Sequence, residues 1–485
     1  MRPLVIALIA TACAGSPKIE TKVGPGLRSA EPAATATLAE DPRTLSFERL
    51  QFEPRQATVH KLPDSQLVAW FAPDTELPLV NLALFIGMGN RDNPADKPGV
   101  VELLERTLAV GGAGGRSPSQ FADAAESRAM EVHVSVGDDR TTVRVAALAK
   151  DLALAFELMS DVVRRPLYDA ERLEIERGRA IEAVRRRNDH PQGIASRELR
   201  KALYGAGSRW VQQPTQAELK AVTRDDIVAL HKRYFVASNA RLVAVGDIAA
   251  DAFSAGLTAG FGGWQGDKPE RPADKRTERL PGPTRRLAVK QSGQAVILAG
   301  QRWLPRHHPD RHTSDLLNYI LGGGVFQSRL GEAIRSDRGL AYSVSTGVRR
   351  LQDDDGYLYV FVGTEPKNLD QVLGLIHQVT DAMRAKADVS AEELSQAKDA
   401  FLNSHVFNFD TAYGVAAQQA VLDHYGYAPD WLTRYPERIA AVSADDIARV
   451  ARERLTPDKF ATIVVGPAAP SGDGWQPIDL EAAIR

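Results

Sequence analysis

The apolar and polar positions of the first half of the chain predict short strands that alternate with amphipathic helices. Alternating apolar residues are typical of half-buried strands, and apolar residues spaced by three and four are typical of helices. The predicted strands are Leu77–Phe85, Val132–Val136, Thr141–Leu148 and Arg241–Val245, and the main predicted helices are Val100–Val110, Pro118–Met130, Leu152–Arg164 and Asp169–Arg187. Strands combined with paired helices favour an α/β or α+β sandwich with one helical layer.

The second half of the chain repeats this order of elements. Its predicted strands are Ala295–Gln301, Val344–Arg349, Tyr357–Gly363 and Ala461–Val465, and its predicted helices are His312–Leu321, Asp370–Met383, Ala391–Phe407 and Ser443–Glu453. Ser390 and Glu393 form a capping box at the start of one of these helices. The repetition predicts an internal duplication, with one α+β domain in each half.

The boundary between the halves is predicted from composition. Phe261–Arg286 is dense in Gly, Pro and charged residues, as linkers are. A chain of 485 residues is also too long for one ordinary hydrophobic core. We therefore expect an N-terminal domain over 44–262, a linker over 263–286, a C-terminal domain over 287–470 and a tail over 471–485.

The segment 1–13 has the features of a bacterial export signal. Arg2 precedes a short apolar run and small residues, after which comes Cys13. This arrangement resembles a lipoprotein signal, in which Cys13 carries the lipid. The alternative is an ordinary secretory signal with an incidental cysteine. Residues 14–43 are rich in Ala, Pro, Thr, Gly and Ser, which predicts a flexible tether.

The expected location follows from this segment. By resemblance to such lipoproteins, Ala14 rather than Asp after the cysteine favours the outer membrane, on its periplasmic side. A soluble periplasmic or secreted protein is the alternative. No apolar run long enough to span a bilayer follows the segment.

Charge and cysteine content exclude several kinds of site. Lys and Arg number 60 and Asp and Glu number 62, so the net charge of −2 gives no support for nucleic-acid binding. The single cysteine excludes disulfides within the chain and a cysteine-rich zinc site.

The stretch Leu321–Val344 concentrates candidate chemistry. It opens with three consecutive glycines, Gly322, Gly323 and Gly324. Later in the stretch, Arg335 and Tyr342 are two strong hydrogen-bond donors that could converge on one carbonyl oxygen. The alternative is a helix that ends at Gly339 and a strand in which Tyr342 is buried by packing.

Residues 62–108 resemble the opening of the insulinase/pitrilysin peptidase family (peptidase family M16, the mitochondrial processing peptidase type). In that family, a helix carries the motif H-x-x-E-H, whose histidines bind zinc and whose glutamate is the general base. The motif falls here on residues 102–106, where Glu102 and Arg106 replace the histidines and Glu105 keeps the base position.

The third zinc ligand of the family falls on Ala183. The neighbouring Glu182 would point about 100° away on a helix. A fixed cation at Arg106 would also repel the metal. The sequence therefore predicts no metal and no cofactor in this chain, and Arg185–Arg187 is predicted as a solvated helix face.

A histidine cluster, His307, His308 and His312, is the alternative place for a metal. Pro309 and the flanking arginines favour a solvated helix start instead. The remaining histidines are isolated in the sequence and are interpreted as structural residues.

The resemblance implies the rest of the site. It implies two homologous α/β sandwich domains of the LuxS/MPP-like metallohydrolase fold, each an antiparallel-rich sheet covered by helices, which face each other across a chamber. Arg335 and Tyr342, with six residues between them, match the pair that holds the substrate carbonyl in the family. The three glycines are expected to form part of the chamber wall that contacts substrate.

The resemblance also implies a partner. Bacterial relatives divide the site between two chains, so a homologous subunit with an intact H-x-x-E-H motif would supply Zn²⁺. The substrate would be a peptide or an unfolded protein. The alternatives are a non-enzymatic scaffold or peptide-binding lipoprotein of the same fold and, less in keeping with Arg106, a peptidase with a rebuilt site of its own.

Overall fold

The computed structural model describes residues 56–271, 284–324, 327–386, 388–482 and 484. The predicted signal, Cys13 and the tether over 14–43 lie outside the described residues. The part of the chain from Glu53 onward forms one compact unit that contains both predicted halves.

The first half provides one six-stranded sheet and the helices that cover it. In chain order its elements are β1 (Thr58–Lys61), β2 (Val68–Pro73), β3 (Leu79–Ile86), α1 (Val100–Leu108), α2 (Pro118–Glu126), β4 (Glu131–Val136), β5 (Thr141–Leu148), α3 (Leu152–Arg164), α4 (Ala170–Arg186), α5 (Pro191–Tyr204), α6 (Gln216–Ala221), α7 (Arg224–Tyr234), β6 (Ala240–Gly246) and α8 (Ala250–Phe261).

The second half provides a second six-stranded sheet. Its elements are β7 (Thr284–Val289), β8 (Ala295–Trp303), α9 (Arg311–Asn318), β9 (Ala341–Arg349), β10 (Gly356–Thr364), α10 (Leu369–Lys386), α11 (Ala391–His405), α12 (Ala412–His424), α13 (Tyr435–Ala441), α14 (Ala444–Arg454), β11 (Ala461–Gly466) and β12 (Trp475–Pro477). Two π-helical turns, Tyr319–Gly323 and Gly331–Ser336, lie between α9 and β9.

Five of the six strands in each sheet have equivalent topologies; the edge strands differ, since β1 is antiparallel to β2 and β12 is parallel to β7. The strand orders are β1-β2-β6-β3-β5-β4 and β12-β7-β11-β8-β10-β9. In each sheet the second and third strands are parallel, and the strands that follow are antiparallel. The internal duplication and the two-domain α+β fold are thus confirmed.

Local sequence explains where several helices begin. Ser390 and Glu393 form the predicted capping box of α11, in which the Glu393 N–H donates to Ser390 Oγ at 3.1 Å and the Ser390 N–H donates to Glu393 Oε2 at 2.9 Å. Thr223 and Ser443 cap the equivalent helices α7 and α14 in the same way. The same capping chemistry at equivalent positions accounts for part of the repeat.

Each sheet buries one face under its own helices and the other under a helix from the opposite half. Helix α5 of the first half packs on β8 and β11, with Ile194 and Leu199 against Leu298 and Ile463. Helix α12 of the second half packs on β2 and β6, where its small residues meet Trp70. Because α5 and α12 are equivalent in the duplication, the halves are joined by a reciprocal exchange of helices.

The β9–β10 turn adds a polar contact between the halves. Arg91 Nη1 donates to the carbonyl of Gln352 at 2.7 Å, and Trp210 Nε1 donates to Asp354 Oδ2 at 3.0 Å. The turn is therefore held by residues of the first half.

Three elements differ from the predicted boundaries. Strand β7 begins inside the segment predicted as a linker over 263–286, and β12 lies in the predicted tail over 471–485. Helix α8, rich in Ala and Gly, was not predicted. No helix within the described ranges combines the length and apolarity that crossing a bilayer requires.

Candidate functional site

The four positions of the degenerate zinc motif converge on one cavity. Glu102, Glu105 and Arg106 lie on α1, and Ala183 lies on α4, which packs against α1. All four line a cavity of about 330 Å³, which we call the motif cavity; residues 90–93, helix α5 and the loop 209–214 complete its wall. The family spacing carried over from the sequence thus has a matching arrangement in space.

An ion pair occupies the two positions that histidines hold in the family. Arg106 Nη2 and Nε donate to Glu102 Oε1 at 3.0 and 3.2 Å, one helical turn apart on α1. Both side chains are half-buried. The pair neutralises the Glu102 carboxylate and so removes it as a metal ligand.

Glu105 keeps the position of the general base but contacts the backbone. Its Oε1 accepts the N–H of Val136 at 2.8 Å. Burial raises the pKa of Glu105, the Val136 hydrogen bond opposes that rise, and the nearby Glu102 adds to it. A carboxyl with a raised pKa is suited to proton transfer, although no substrate position is defined beside it.

The third ligand position is Ala183, whose side chain is only a methyl group. Glu182, one position earlier, lies on the outer side of α4, where it accepts Arg186 Nε at 2.7 Å. Its orientation agrees with the expectation from helix geometry. Arg187 differs from the prediction of a solvated face, because it lines the motif cavity and donates to the Pro214 carbonyl at 2.7 Å. Four residues after Ala183, it shares the face of Ala183.

The residues of the motif cavity do not fit a zinc ion. A structural or catalytic zinc needs neutral His, thiolate or free carboxylate ligands, and these positions hold an ion-paired Glu102, the cation Arg106 and Ala183. Within the described ranges, no group of three or more His, Cys, Asp or Glu side chains is arranged to hold a metal.

The histidine cluster at 307–312 makes aromatic contacts. The His307 ring centroid lies 4.6 Å from that of Tyr427, and the His312 centroid lies 5.8 Å from that of Trp431. Burial lowers the pKa of His312 to about 4, so its ring is neutral at pH 7. These contacts account for the cluster through packing.

Tyr342 is the extra residue of a β-bulge. In the β9–β10 pairing, Gly363 lies opposite Ser343, and the next residue, Thr364, lies opposite Ala341. Tyr342 is therefore left without an opposite residue. The regular alternation of β9 would turn Tyr342 to the same, buried side as Val344.

The bulge exposes Tyr342 next to Arg335. The Tyr342 side chain is 81% exposed, which differs from the alternative of a buried packing residue. The Arg335 guanidinium carbon lies 5.1 Å from the Tyr342 ring centroid, within cation–π range. Gly339, with φ of 59°, ends the π-helical turn before β9, and its N–H donates to the Arg335 carbonyl at 3.0 Å. Gly339 thus ends the helical segment, as that alternative has it, whereas Tyr342 is not buried.

Both side chains line a groove of about 830 Å³, which we call the Arg335/Tyr342 groove. Its floor is one face of β9 and β10, and α5 forms a side. The aromatic rings of Tyr357, Tyr359 and Phe361 lie along the floor. The groove and the motif cavity share one lining residue, Arg200 of α5, so they lie next to each other.

The three glycines, Gly322, Gly323 and Gly324, pack closely against residues of the second half of the chain. An added Cβ would lie 2.5 Å from Thr346 Cγ2 at Gly322, 2.8 Å from Asn318 Nδ2 at Gly323, and 3.0 Å from the Tyr319 ring at Gly324. Gly322 allows close packing of the π-helical turn against β9, and Gly323 and Gly324 allow close packing within the turn and against the end of α9. Contact of the three glycines with substrate stays a prediction.

Apart from Arg106, sequence reasoning did not assign the arginines of the motif cavity to the site. Among the described residues, its lining arginines are Arg91, Arg106, Arg187, Arg197, Arg200 and Arg209. The five arginines other than Arg106 come from several segments, so no local motif indicates them together. Among these five, only Arg187 carries a signal, its spacing of four from Ala183.

Comparisons with known proteins agree with this fold. The family model described as Insulinase (Peptidase family M16) matches residues 72–210, and the model described as Peptidase M16 inactive domain matches residues 221–401. A Mycobacterium bovis protein named as an uncharacterized zinc protease is 26% identical over 401 residues, which cover 81% of this chain and 90% of that protein.

Solved structures share the fold. A peptidase M16 inactive domain from Pseudomonas fluorescens superposes with a TM-score of 0.75 at 20% identity, covering 86% of this chain and all of that one. The periplasmic protease PqqL from Escherichia coli gives a TM-score of 0.69 at 17% identity, covering 90% of this chain and 49% of PqqL.

Fold and site together define a duplicated α+β protein of the metallopeptidase type whose metal-binding motif has been replaced. The chain belongs to peptidase family M16 and is of the non-zinc-binding type.

Proposed function

We propose that this chain is the non-zinc subunit of a heteromeric family M16 peptidase and contributes Arg335 and Tyr342 to peptide hydrolysis. The observation that carries the proposal is the pairing of an 81% exposed Tyr342 with Arg335 in an open groove. A tyrosine retained only for packing would not be exposed by a bulge.

The two side chains would act on the substrate carbonyl. The Tyr342 hydroxyl would donate a hydrogen bond to the carbonyl oxygen as negative charge develops there, and the Arg335 guanidinium would hold the same group by a charge-assisted bond. Both donors would bind the same carbonyl group, and the contact between the Arg335 guanidinium and the Tyr342 ring keeps the two side chains next to each other.

A homologous subunit with an intact H-x-x-E-H motif would supply the zinc ion. The replaced ligand positions of this chain support that division, since its own motif cavity does not fit the metal. The name of the Mycobacterium bovis relative, a zinc protease, supports peptide hydrolysis as the overall activity. The two subunits would enclose the chamber in which a peptide or unfolded protein binds.

The test is hydrolysis of a quenched fluorescent peptide by this chain, by a family M16 subunit with the intact motif, and by both together. We expect activity only with both chains and zinc. Tyr342→Phe and Arg335→Ala should each lower kcat by about 10²–10³-fold, as loss of an oxyanion donor does.

Matched controls separate the roles of these residues from general damage. Tyr359→Phe removes another hydroxyl of the same groove, and Arg338→Ala removes an exposed arginine three residues from Arg335. Both should keep nearly full activity. Hydrolysis by this chain alone, or indifference to Tyr342→Phe and Arg335→Ala, would contradict the proposal.

A peptide-binding or scaffolding role is the second candidate. The replaced motif favours it in the absence of a zinc-bearing partner, because the groove could still hold a peptide. Saturable peptide binding that depends on Arg335, with no hydrolysis in any subunit combination, would support this role.

We also propose that the protein acts in the periplasm as a lipoprotein anchored through Cys13, most simply at the outer membrane. The sequence of the first thirteen residues supports the anchor, and the periplasmic PqqL has the same fold. Metabolic labelling with palmitate, lost in Cys13→Ser, tests it; equal labelling of both proteins would refute the anchor.

A further inference from the structure

The motif cavity has more cationic than anionic groups in its wall. Among the described lining residues, six are arginines, and three are carboxylic acids, namely Glu102, Glu105 and Asp138. With all of them ionised, the wall carries an excess of three positive charges. Such an excess around a cavity of about 330 Å³ attracts anions.

The three acids offset at most three of the six arginine charges. Glu102 is held by Arg106, and Asp138 Oδ1 accepts Arg200 Nη2 at 3.1 Å. Glu105 has a pKa raised by burial, which favours its neutral form relative to an exposed carboxyl.

Acids behind the wall are shared among several cations. Glu198 is buried and lies within 3.3 Å of Arg197, within 3.2 Å of Lys201 and also against Arg286. One carboxylate therefore serves three cations. On the other side, Asp353 lies 3.6 Å from Arg91 and 4.0 Å from a further arginine, Arg271.

The arginines also affect one another. Burial and then the charge of Arg197 lower the pKa of Arg187, and burial and then the charge of Arg271 lower the pKa of Arg91. An anion in the cavity would relieve the repulsion between Arg187 and Arg197, which both line it.

The position of the cavity indicates the kind of anion. Arg200 lines both the cavity and the Arg335/Tyr342 groove, so a peptide lying in the groove has its end beside the cavity. The amide side chains of Gln212 and Gln213 also line the cavity, and Gln212 Oε1 is buried without a partner in the described residues. That acceptor suits a peptide N–H.

We propose that the motif cavity binds the C-terminal carboxylate of a peptide whose body lies in the Arg335/Tyr342 groove. The volume suffices for a terminal residue, and arginine forks match the two oxygens of a carboxylate. The cavity that lost its metal ligands thereby serves as a substrate-anchoring site. The peptide ligand rests on the proposed function.

The experiment measures binding to the full chain without partner or zinc, so its result is independent of the hydrolysis test. A short uncharged fluorescent peptide with a free C-terminal carboxylate is compared with the same peptide ending in an amide. The acid should bind about tenfold more tightly, as a charge-assisted contact implies. Equal affinities would overturn the proposal even if the zinc-bearing complex hydrolyses peptides.

Variants locate the site. Arg187→Gln and Arg209→Gln should each bring the affinity for the acid close to that for the amide. Arg434→Gln removes an exposed arginine remote from the cavity lining and should keep the preference. If the preference survives both cavity variants, the carboxylate binds elsewhere and the proposal fails. Thermal unfolding measurements show whether each variant is folded. If a variant does not fold, the ratio of the wild-type affinities for the acid and the amide peptide decides the proposal.

Competition distinguishes a carboxylate site from a phosphate site. Acetate should displace the acid peptide. Inorganic phosphate at the same concentration should displace no more of the peptide than acetate does. Displacement by phosphate alone would assign the cavity to phosphate and overturn the peptide proposal.

Discussion

At the scale of the residue, one extra position in β9 decides what Tyr342 does. Without the bulge, the side chain of Tyr342 would lie on the same side of the sheet as the buried Val344, because alternate residues of a strand share a face, and it would point into the helical layer. With it, the hydroxyl is available to solvent beside Arg335. Removing one residue next to Tyr342 would therefore abolish the site while leaving most of the sheet pairing intact.

Gly322 gives a prediction that separates packing from substrate contact. In Gly322→Ala, the new Cβ would lie 2.5 Å from Cγ2 of the buried, β-branched Thr346. We expect the free energy of unfolding to fall by about 1–3 kcal/mol, as for other overpacked sites. Urea denaturation measures it.

The matched control is Gly374→Ala, on α10. No heavy atom lies within 4 Å of its added Cβ, and the change should raise stability by about 0.5–1 kcal/mol. An unchanged urea midpoint for Gly322→Ala combined with weaker peptide binding would favour the substrate-wall prediction for residues 322–324.

The sequence was informative about residues that act within one motif. Glu102, Arg106 and Ala183 could be placed because helix spacing fixes which side chains share a face. The exposure of Tyr342 could not be predicted, because a bulge depends on how β9 pairs with β10 and leaves no local signature. The other arginines of the motif cavity could not be predicted for a similar reason, since they meet only through tertiary packing.

At the scale of the element, helix α12 carries a buried histidine onto the sheet of the other half. His424 is 7% exposed, and its Nε2 has no hydrogen-bond partner among the described residues. Burial lowers its pKa to about 3, with further contributions from Lys268, Arg241, Arg271 and Arg140. The packing of α12 thus requires a neutral ring.

This predicts acid-sensitive stability. Below about pH 6.5 the unfolded chain binds a proton at His424, and the folded chain does not. The free energy of unfolding therefore falls as the pH drops toward 3. Between pH 7 and pH 5 this one group should lower the free energy of unfolding by about 2 kcal/mol. His424→Gln should remove that part of the pH dependence in urea titrations.

The control for His424 is His377→Gln, at an exposed position on α10. His424→Gln should change the pH dependence more than this control does. His231 and His312 remain in both variants, and since burial lowers their pKa values to about 4, some acid sensitivity persists. Identical pH profiles for wild type and His424→Gln would show that the α12 contact tolerates the charged ring.

Elements with strong local patterns were predictable, and elements defined by their neighbours were not. The bounds of α3 and the start of α11 follow from apolar spacing and a capping box. Strand β7 was hidden because its arginines and threonine resemble a linker, and β12 because three residues carry no period. Both become strands by pairing with each other in parallel, and β7 also pairs with β11.

At the scale of the whole molecule, the exchange of α5 and α12 makes the two halves depend on each other. Ile194 and Leu199 of α5 would be exposed if the first half stood alone, as would Trp70 beneath α12. The halves are therefore expected to unfold together.

Separate expression of the halves tests this dependence. A break between Arg271 and Thr284 leaves every described strand and helix whole. The two fragments should aggregate when made singly and copurify as a 1:1 complex when made together, because each supplies a helix that covers the other's sheet. Two soluble, independently folded fragments would contradict this expectation.

The same exchange has a consequence during synthesis. Helix α5 is complete about 260 residues before the ribosome reaches β11, the last strand that α5 covers. At a synthesis rate of about 5–20 residues per second, the apolar face of α5 stays uncovered by its sheet for on the order of tens of seconds. In an exported chain, that waiting time is compatible with transport before folding, since the protein cannot finish its first half until nearly all of the second has been made.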